Sequence, residues 1–153
     1  MKPPAWRFER DVYPFFVPIQ TRFRDMDHLR HVNNMAVAGY HDEARSHLSQ
    51  AYFKKAGDIT GTRIVTVEQR VNFLAEVFHP NMLEAACGIL KIGSSSYEIG
   101  QAVFQKGRCV GVCTAVLVSA TRQHGVSPLP QNLRDALETY RIHAPRETAA
   151  SAT

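Results

Sequence analysis

Between Tyr40 and Ala56 this chain carries neither glycine nor proline, and the apolar residues Val37, Tyr40, Ala44, Leu48, Ala51 and Tyr52 recur at steps of three or four. That spacing predicts one long amphipathic helix opening near Asn34. Asn33 or Asn34 suits the N-cap because its side-chain oxygen accepts from first-turn N–H groups, and Gly57 is placed to end the helix. The flanking segments have a different period. Residues 13–24 set Phe15, Val17, Ile19, Thr21 and Phe23 at every second position, which predicts a strand. Four more are predicted at 63–73, 82–92, 97–105 and 109–119, with turn residues clustered at His79-Pro80-Asn81, Gly93-Ser94-Ser95-Ser96 and Lys106-Gly107-Arg108. Strand, long helix, then four strands on short turns is the order of an α+β domain with an antiparallel sheet, not of alternating βαβ units.

A chain of 153 residues fits one domain, burying roughly 68–70% of the surface its unfolded form exposes. The domain is expected over 1–143, closing with a short helix in 128–141 where Leu129, Leu133, Leu137 and Tyr140 have helical spacing. Residues 144–153 are small and polar and read as a disordered tail. Residues 1–10 have no apolar core of signal-peptide length and no run is long enough to span a bilayer, so a cytoplasmic location without a membrane partner is expected. Cys87, Cys109 and Cys113 are an odd count with no Cys-x-x-Cys pair, which argues against a disulfide framework or a structural zinc site. Cys109 and Cys113 are expected on one face of a strand, as buried thiols. The net charge is +4, but Arg63, Arg70, Lys91, Lys106 and Arg108 are scattered rather than clustered with stacking aromatics, so no nucleic-acid partner is expected.

The chemistry concentrates in Arg24-Asp25-Met26-Asp27-His28-Leu29-Arg30-His31-Val32-Asn33-Asn34. Here a carboxylate stands a short loop ahead of a helix start, where orphan N–H groups and the positive dipole end favour polarised oxygens. A thioester or ester carbonyl docked there is polarised for attack, as in an oxyanion hole. Asp27 lies seven residues before Asn34, a separation that a compact loop folds back, and would serve as nucleophile or as general base on water. The competing reading is that Asp25 and Asp27 cap turns or pair with Arg22, Arg24 or Arg30. His28 and His31 lack the register of a His-Glu-x-x-His zinc site, so no metal is expected. His31 reads as a brace for the loop and His28 as solvated.

Asp25-Met26-Asp27, then His31-Val32-Asn33-Asn34, then Tyr40 and Glu43-Ala44-Arg45 resemble the signature of hotdog-fold acyl-CoA thioesterases of the 4-hydroxybenzoyl-CoA thioesterase type. The match is nearest to the long-chain acyl-CoA branch, where Asp-x-Asp-x-x-Gly-His-Val-Asn-Asn opens the central helix, and it covers about 15–120. The resemblance implies a hotdog fold, an antiparallel sheet of about five strands wrapped around one long central helix, in a homodimer or homotetramer with sites at the subunit interface. It implies hydrolysis of an acyl-CoA thioester without a cofactor, with Asp27 as the catalytic carboxylate and the Asn34 amide polarising the carbonyl. Arg30, His31, Asn33 and Tyr40 are then candidates for contact with substrate. Glu43 is a possible second carboxylate, but nine residues of helix put it roughly 13 Å from the helix start, so a structural role bonding Arg45, a loop amide or the partner subunit is favoured. Arg30 departs from the family's glycine, a residue that serves conformations others adopt at a cost. An acyl carrier protein remains open as the thiol carrier. Two alternatives stay open as well: a hotdog protein that binds acyl thioesters without hydrolysing them, and a hotdog dehydratase using Asp27 and His31 as an acid/base pair.

Overall fold

In the computed structural model, which describes residues 2–146, the N-cap of the long helix is Asn33, whose side-chain oxygen accepts the Ala36 N–H at 2.7 Å. This helix, α1, runs Asn34–Ala56 and stops at Gly57, whose φ of 82° lies in the left-handed region that favours glycine. One strand precedes it, β1 (Phe15–Ile19). Five follow: β2 (Thr62–Phe73), β3 (Leu83–Ile92), β4 (Ser96–Gln105), β5 (Arg108–Thr121) and the two-residue β6 (Gly125–Val126), before a second helix, α2 (Gln131–Glu138). Every pairing is antiparallel in the order β1-β3-β4-β5-β2, with β6 against the end of β5. Five main strands packed on one long helix are the α+β hotdog arrangement that the sequence implied. No helix among the described residues is long and apolar enough to cross a membrane. Residues 147–153, most of the expected tail, lie outside the described residues.

Alternation along the strands sorts the sheet into two apolar faces. On one, Ile19, Ala85, Cys87, Ile89, Ile99 and Val103 meet Val37, Tyr40, Ala44, Leu48 and Tyr52 of α1, and α2 adds Leu133 and Leu137. On the other, Ala86, Ala102 and Val112 meet Tyr13, with Trp6, Phe8 and Val12 packed around them. No periodicity in the residues anticipates this second cover. Two short 3-10 turns, Ala5–Phe8 and Arg10–Val12, lie across the sheet, and buried Arg7 fastens them there. Its guanidinium donates to the Cys113 carbonyl at 2.8 Å, the Thr114 hydroxyl at 3.1 Å and the Tyr13 hydroxyl at 3.3 Å.

Several expectations need correction. β1 ends at Ile19 instead of continuing to 24, because the Arg22 N–H turns to the Asp25 carboxylate at 3.0 Å and closes a 3-10 turn over Phe23–Asp25. Phe23 is left 78% exposed. β6 adds a short sixth strand, and α2 begins only at Gln131 because Pro130 disfavours the helical region for Leu129. Cys109 and Cys113 do not share a face: the register slips between Val103 and Phe104, opposite β5. Cys109 therefore packs with the N-terminal turns, while Cys113 opposes Gln101, whose side chain bonds Arg45 of α1.

Two polar residues sit in the buried stripe of α1, where the apolar pattern had left them unassigned. Arg45 donates to Gln101 and Gln69, both at 3.1 Å, and to Asp42, while Gln101 in turn donates to the His41 carbonyl at 2.6 Å. The His41 ring is fully enclosed, and neither nitrogen has a partner among the described residues. Burial, then the charges of Arg45 and Arg7, push its pKa down from 6.5 to about 3. A depressed folded-state pKa contributes stability that is complete above pH 6.5 and is lost as the pH falls toward 3. Urea denaturation of the protein should therefore show stability falling across that window by up to about 1.4 kcal/mol per pH unit, and His41→Leu should flatten the slope. An unchanged acid slope in the variant would show that His41 does not set it.

Candidate functional site

The loop ahead of α1 folds back on itself as a small hairpin. The Asp25 carbonyl takes both the backbone N–H and the side-chain amide of Asn33 at 2.9 Å, Met26 bridges Val32, and the Asp27 N–H reaches the His31 carbonyl at 3.0 Å. The Arg30 N–H closes the tip on the Asp27 carbonyl at 3.1 Å. From outside, the Val77 carbonyl accepts the Val32 N–H at 2.8 Å, tying the hairpin to the segment that follows β2. Two ladder steps separate the rung of Asp27 from that of Asn33, roughly 7 Å along the chain. The fold-back expected of this loop is thus present.

The two carboxylates have different positions. Asp25 is buried, and its Oδ2 accepts the Tyr40 hydroxyl at 2.6 Å and the Arg22 N–H at 3.0 Å. Burial, then the bond to Asp25, raises the Tyr40 phenol above its ordinary pKa. Asp25 therefore matches the turn-capping reading in full. Asp27 matches it with one oxygen only, since Oδ1 accepts the Leu29 N–H at 2.9 Å while Oδ2 has no partner among the described residues. Asp27 is half-buried, and that second oxygen is left unpaired among the described residues.

Across the hairpin, α1 begins with two open donors. Asn33 satisfies the N–H groups of Ala36 and Val37, whereas those of Asn34 and Met35 have no acceptor among the described residues. Both residues are exposed, Met35 to 86%. Unpaired amides at the positive end of a 23-residue helix form an anion-seeking site.

The remaining candidates fall around this centre. His31 is half-buried, with Nε2 3.8 Å from the Glu76 carboxylate on the segment that follows β2. Tyr40 lies beneath the loop, 3% exposed and committed to Asp25, rather than on an open surface. Glu43 is exposed and does not bond Arg45, contrary to one of its expected roles. Two helical residues are about 200° apart, so Glu43 points away when Arg45 turns inward, and Asp42 takes the guanidinium instead. Arg30 is exposed at the hairpin tip with a φ of 64°. Burial raises all three thiols, Cys87 to about 12 and Cys113 to about 11, which keeps them protonated. No three His, Cys, Asp or Glu side chains converge as metal ligands among the described residues. Sequence reasoning missed Glu76 and Val77, which have no periodic or motif signal.

A family profile described as the thioesterase-like superfamily matches residues 21–137. Among solved structures, the PA5185 protein from Pseudomonas aeruginosa strain PAO1 aligns with a TM-score of 0.75 at 28% identity, over 89% of this chain and 97% of that one. A thioesterase from Thermus thermophilus, complexed with coenzyme A and Zn, aligns with a TM-score of 0.72 at 25% identity, over 84% and 95%. A predicted thioesterase from Bacillus stearothermophilus shares the fold, with a TM-score of 0.76 at 20% identity over 86% and 98%. A search of curated protein sequences found no match.

Arg30 occupies a conformation that costs an L-residue roughly 1–2 kcal/mol, and glycine there would forfeit part of that gain to its looser unfolded state. Arg30→Gly should raise stability by up to about 1 kcal/mol in urea denaturation. A clear loss of stability would mean that the arginine side chain holds the tip.

Proposed function

This chain belongs to the thioesterase-like superfamily, and on that premise we propose that it hydrolyses acyl-CoA thioesters to a free acid and coenzyme A. The observation that carries the proposal is the pair of open amides at Asn34 and Met35 beside a hairpin whose Asp27 keeps one oxygen free. The thioester carbonyl docks on the Asn34 N–H. Asp27 then takes a proton from water, the hydroxide adds to the carbonyl carbon, and the negative oxygen develops against the amide. Collapse breaks the carbon–sulfur bond, and the departing thiolate takes the proton from Asp27. In the nucleophilic variant the carboxylate itself adds, expels the thiolate as a mixed anhydride forms, and water opens the anhydride. Label found in the Asp27 carboxylate after single turnover in 18O water would establish the second route with water attacking the Asp27 carbonyl carbon, because the first route puts all of the label in the product acid.

The reading of a protein that binds without hydrolysing depended on a loop disrupted by Arg30. With Arg30 in the left-handed region the hairpin keeps its turn, which supports hydrolysis. A dehydratase would pair His31 with Asp27, and the His31 ring is directed to Glu76 instead.

The geometry also supports self-association. β2 ends the sheet order, is twelve residues long, and leaves Val65 and Val67 exposed on an edge with no neighbour among the described residues. Edges of that length pair or are covered. We propose a homodimer joined along β2, and sedimentation showing a monomer at micromolar concentration would refute it.

Asp27→Asn should fold normally, because Asp27 bonds only the backbone of its own turn, and should lose at least a hundredfold in thiol release from a panel of short, long and aromatic acyl-CoAs. Near-normal turnover in the variant would remove Asp27 from the chemistry.

A further inference from the structure

Next to the hairpin the chain forms a separate recess. In the segment after β2, Val77 is buried and its carbonyl holds the Val32 N–H, while its neighbours Glu76 and Phe78 are exposed. Gln105, near the end of β4, clasps the same segment: Oε1 accepts the Phe78 N–H at 2.9 Å, and Nε2 donates to the carbonyls of Phe78 at 2.8 Å and Asn81 at 3.2 Å. Between this segment and the β4–β5 turn lies a cavity of about 340 Å³ lined by Glu76, Phe78, Asn81, Gln105, Lys106 and Arg108. That is the size range of small-ligand sites.

The lining has the makings of a nucleotide site. Lys106 and Arg108 supply two cations, and neither has a carboxylate within 4.0 Å among the described residues. Glu76, the acid in the lining, is turned toward His31. Phe78 is a large aromatic ring left 46% exposed beside them. Lys106 and Gly107 form a two-residue hairpin turn with φ values of 51° and 76°. Such a turn favours asparagine, aspartate or glycine at its first position, so a lysine is held there against the backbone preference. Arg30 and Lys106 are the two non-glycine residues with positive φ among the described residues.

We infer that this recess seats the nucleotide end of coenzyme A, an adenosine that carries a 3′-phosphate and a 5′-diphosphate. The inference rests on the acyl-CoA reading above and deepens it. Lys106 and Arg108 take the phosphates, and the adenine stacks on Phe78. The pantetheine arm then passes the His31–Glu76 contact, which joins the recess to the hairpin, and delivers the thioester to the Asn34 amide. An acyl carrier protein presents its pantetheine from a folded surface and has no base to stack, so a walled recess with an exposed aromatic ring fits the nucleotide.

Calorimetric titration of the full chain with adenosine 3′,5′-bisphosphate tests this. Wild type should bind; Lys106→Asn with Arg108→Gln should weaken binding at least tenfold, and Phe78→Ala severalfold. Asparagine is chosen at 106 because it tolerates the left-handed conformation, which keeps the turn. Lys91→Ala, on an exposed cation outside the recess, should bind as wild type. Equal affinity in the double variant, an equal loss in Lys91→Ala, or no binding by wild type would each overturn the assignment, and turnover of an acyl carrier protein thioester alongside no binding would keep the hydrolase reading. Because binding needs no turnover, a chain that bound the bisphosphate but hydrolysed nothing would lose the hydrolase reading and keep this one.

Discussion

The candidate site depends on a carboxylate that is committed to structure. Asp25 is drawn to the edge of the core by the Tyr40 hydroxyl and the Arg22 amide, and its carbonyl holds Asn33 through two bonds. Burying a charged group without such partners would cost several kcal/mol, so the loop closes around Asp25 in the one way that satisfies it. Asn33 is at once the partner of Asp25 and the cap of α1, and hairpin and helix start are therefore a single unit. With the capping oxygen spent on Ala36, the amides of Asn34 and Met35 are left over. Asp27 stays free because Asp25 carries the structural burden two residues earlier.

A comparable polar seam runs between α1 and the sheet. Apolar contacts hold a helix against strands but tolerate small rotations, whereas hydrogen bonds have direction. Arg45, bound to Gln69 of β2 and Gln101 of β4, and Gln101, bound to the His41 carbonyl, fix how far the helix is turned. That rotation sets which residues of the first turn face the hairpin. The helix that carries the donors is thus oriented by groups roughly two to three turns away.

What could be read in advance was local. The limits of α1 follow from the Asn33 cap, the step of three and four, and Gly57. The left-handed Arg30 was legible because the resembling pattern has glycine at that place. Features set by distant partners were not legible. The apolar pattern of α1 assigns no place to Arg45 or His41, and what encloses them lies on strands that come after the helix in sequence. Nothing in residues 1–10 announces that Arg7 is buried, and its partners are Cys113 and Thr114. The faces of Cys109 and Cys113 were reversed by one register slip, which no alternation rule foresees. Val77 and Glu76 reach the hairpin across some forty residues of chain.

The two borders of the sheet are unlike. β1 offers five residues that include Pro18, which has no N–H to give a newcomer. β2 offers twelve, with a break in register between Thr66 and Glu68. A sheet that could add strands on both sides would be a monomer unit for filaments. In the proposed dimer the sheet would grow along β2, and two copies meeting there would use up each other's open border. Assembly along the sheet would then be self-terminating, with a proline built into the strand at the opposite border.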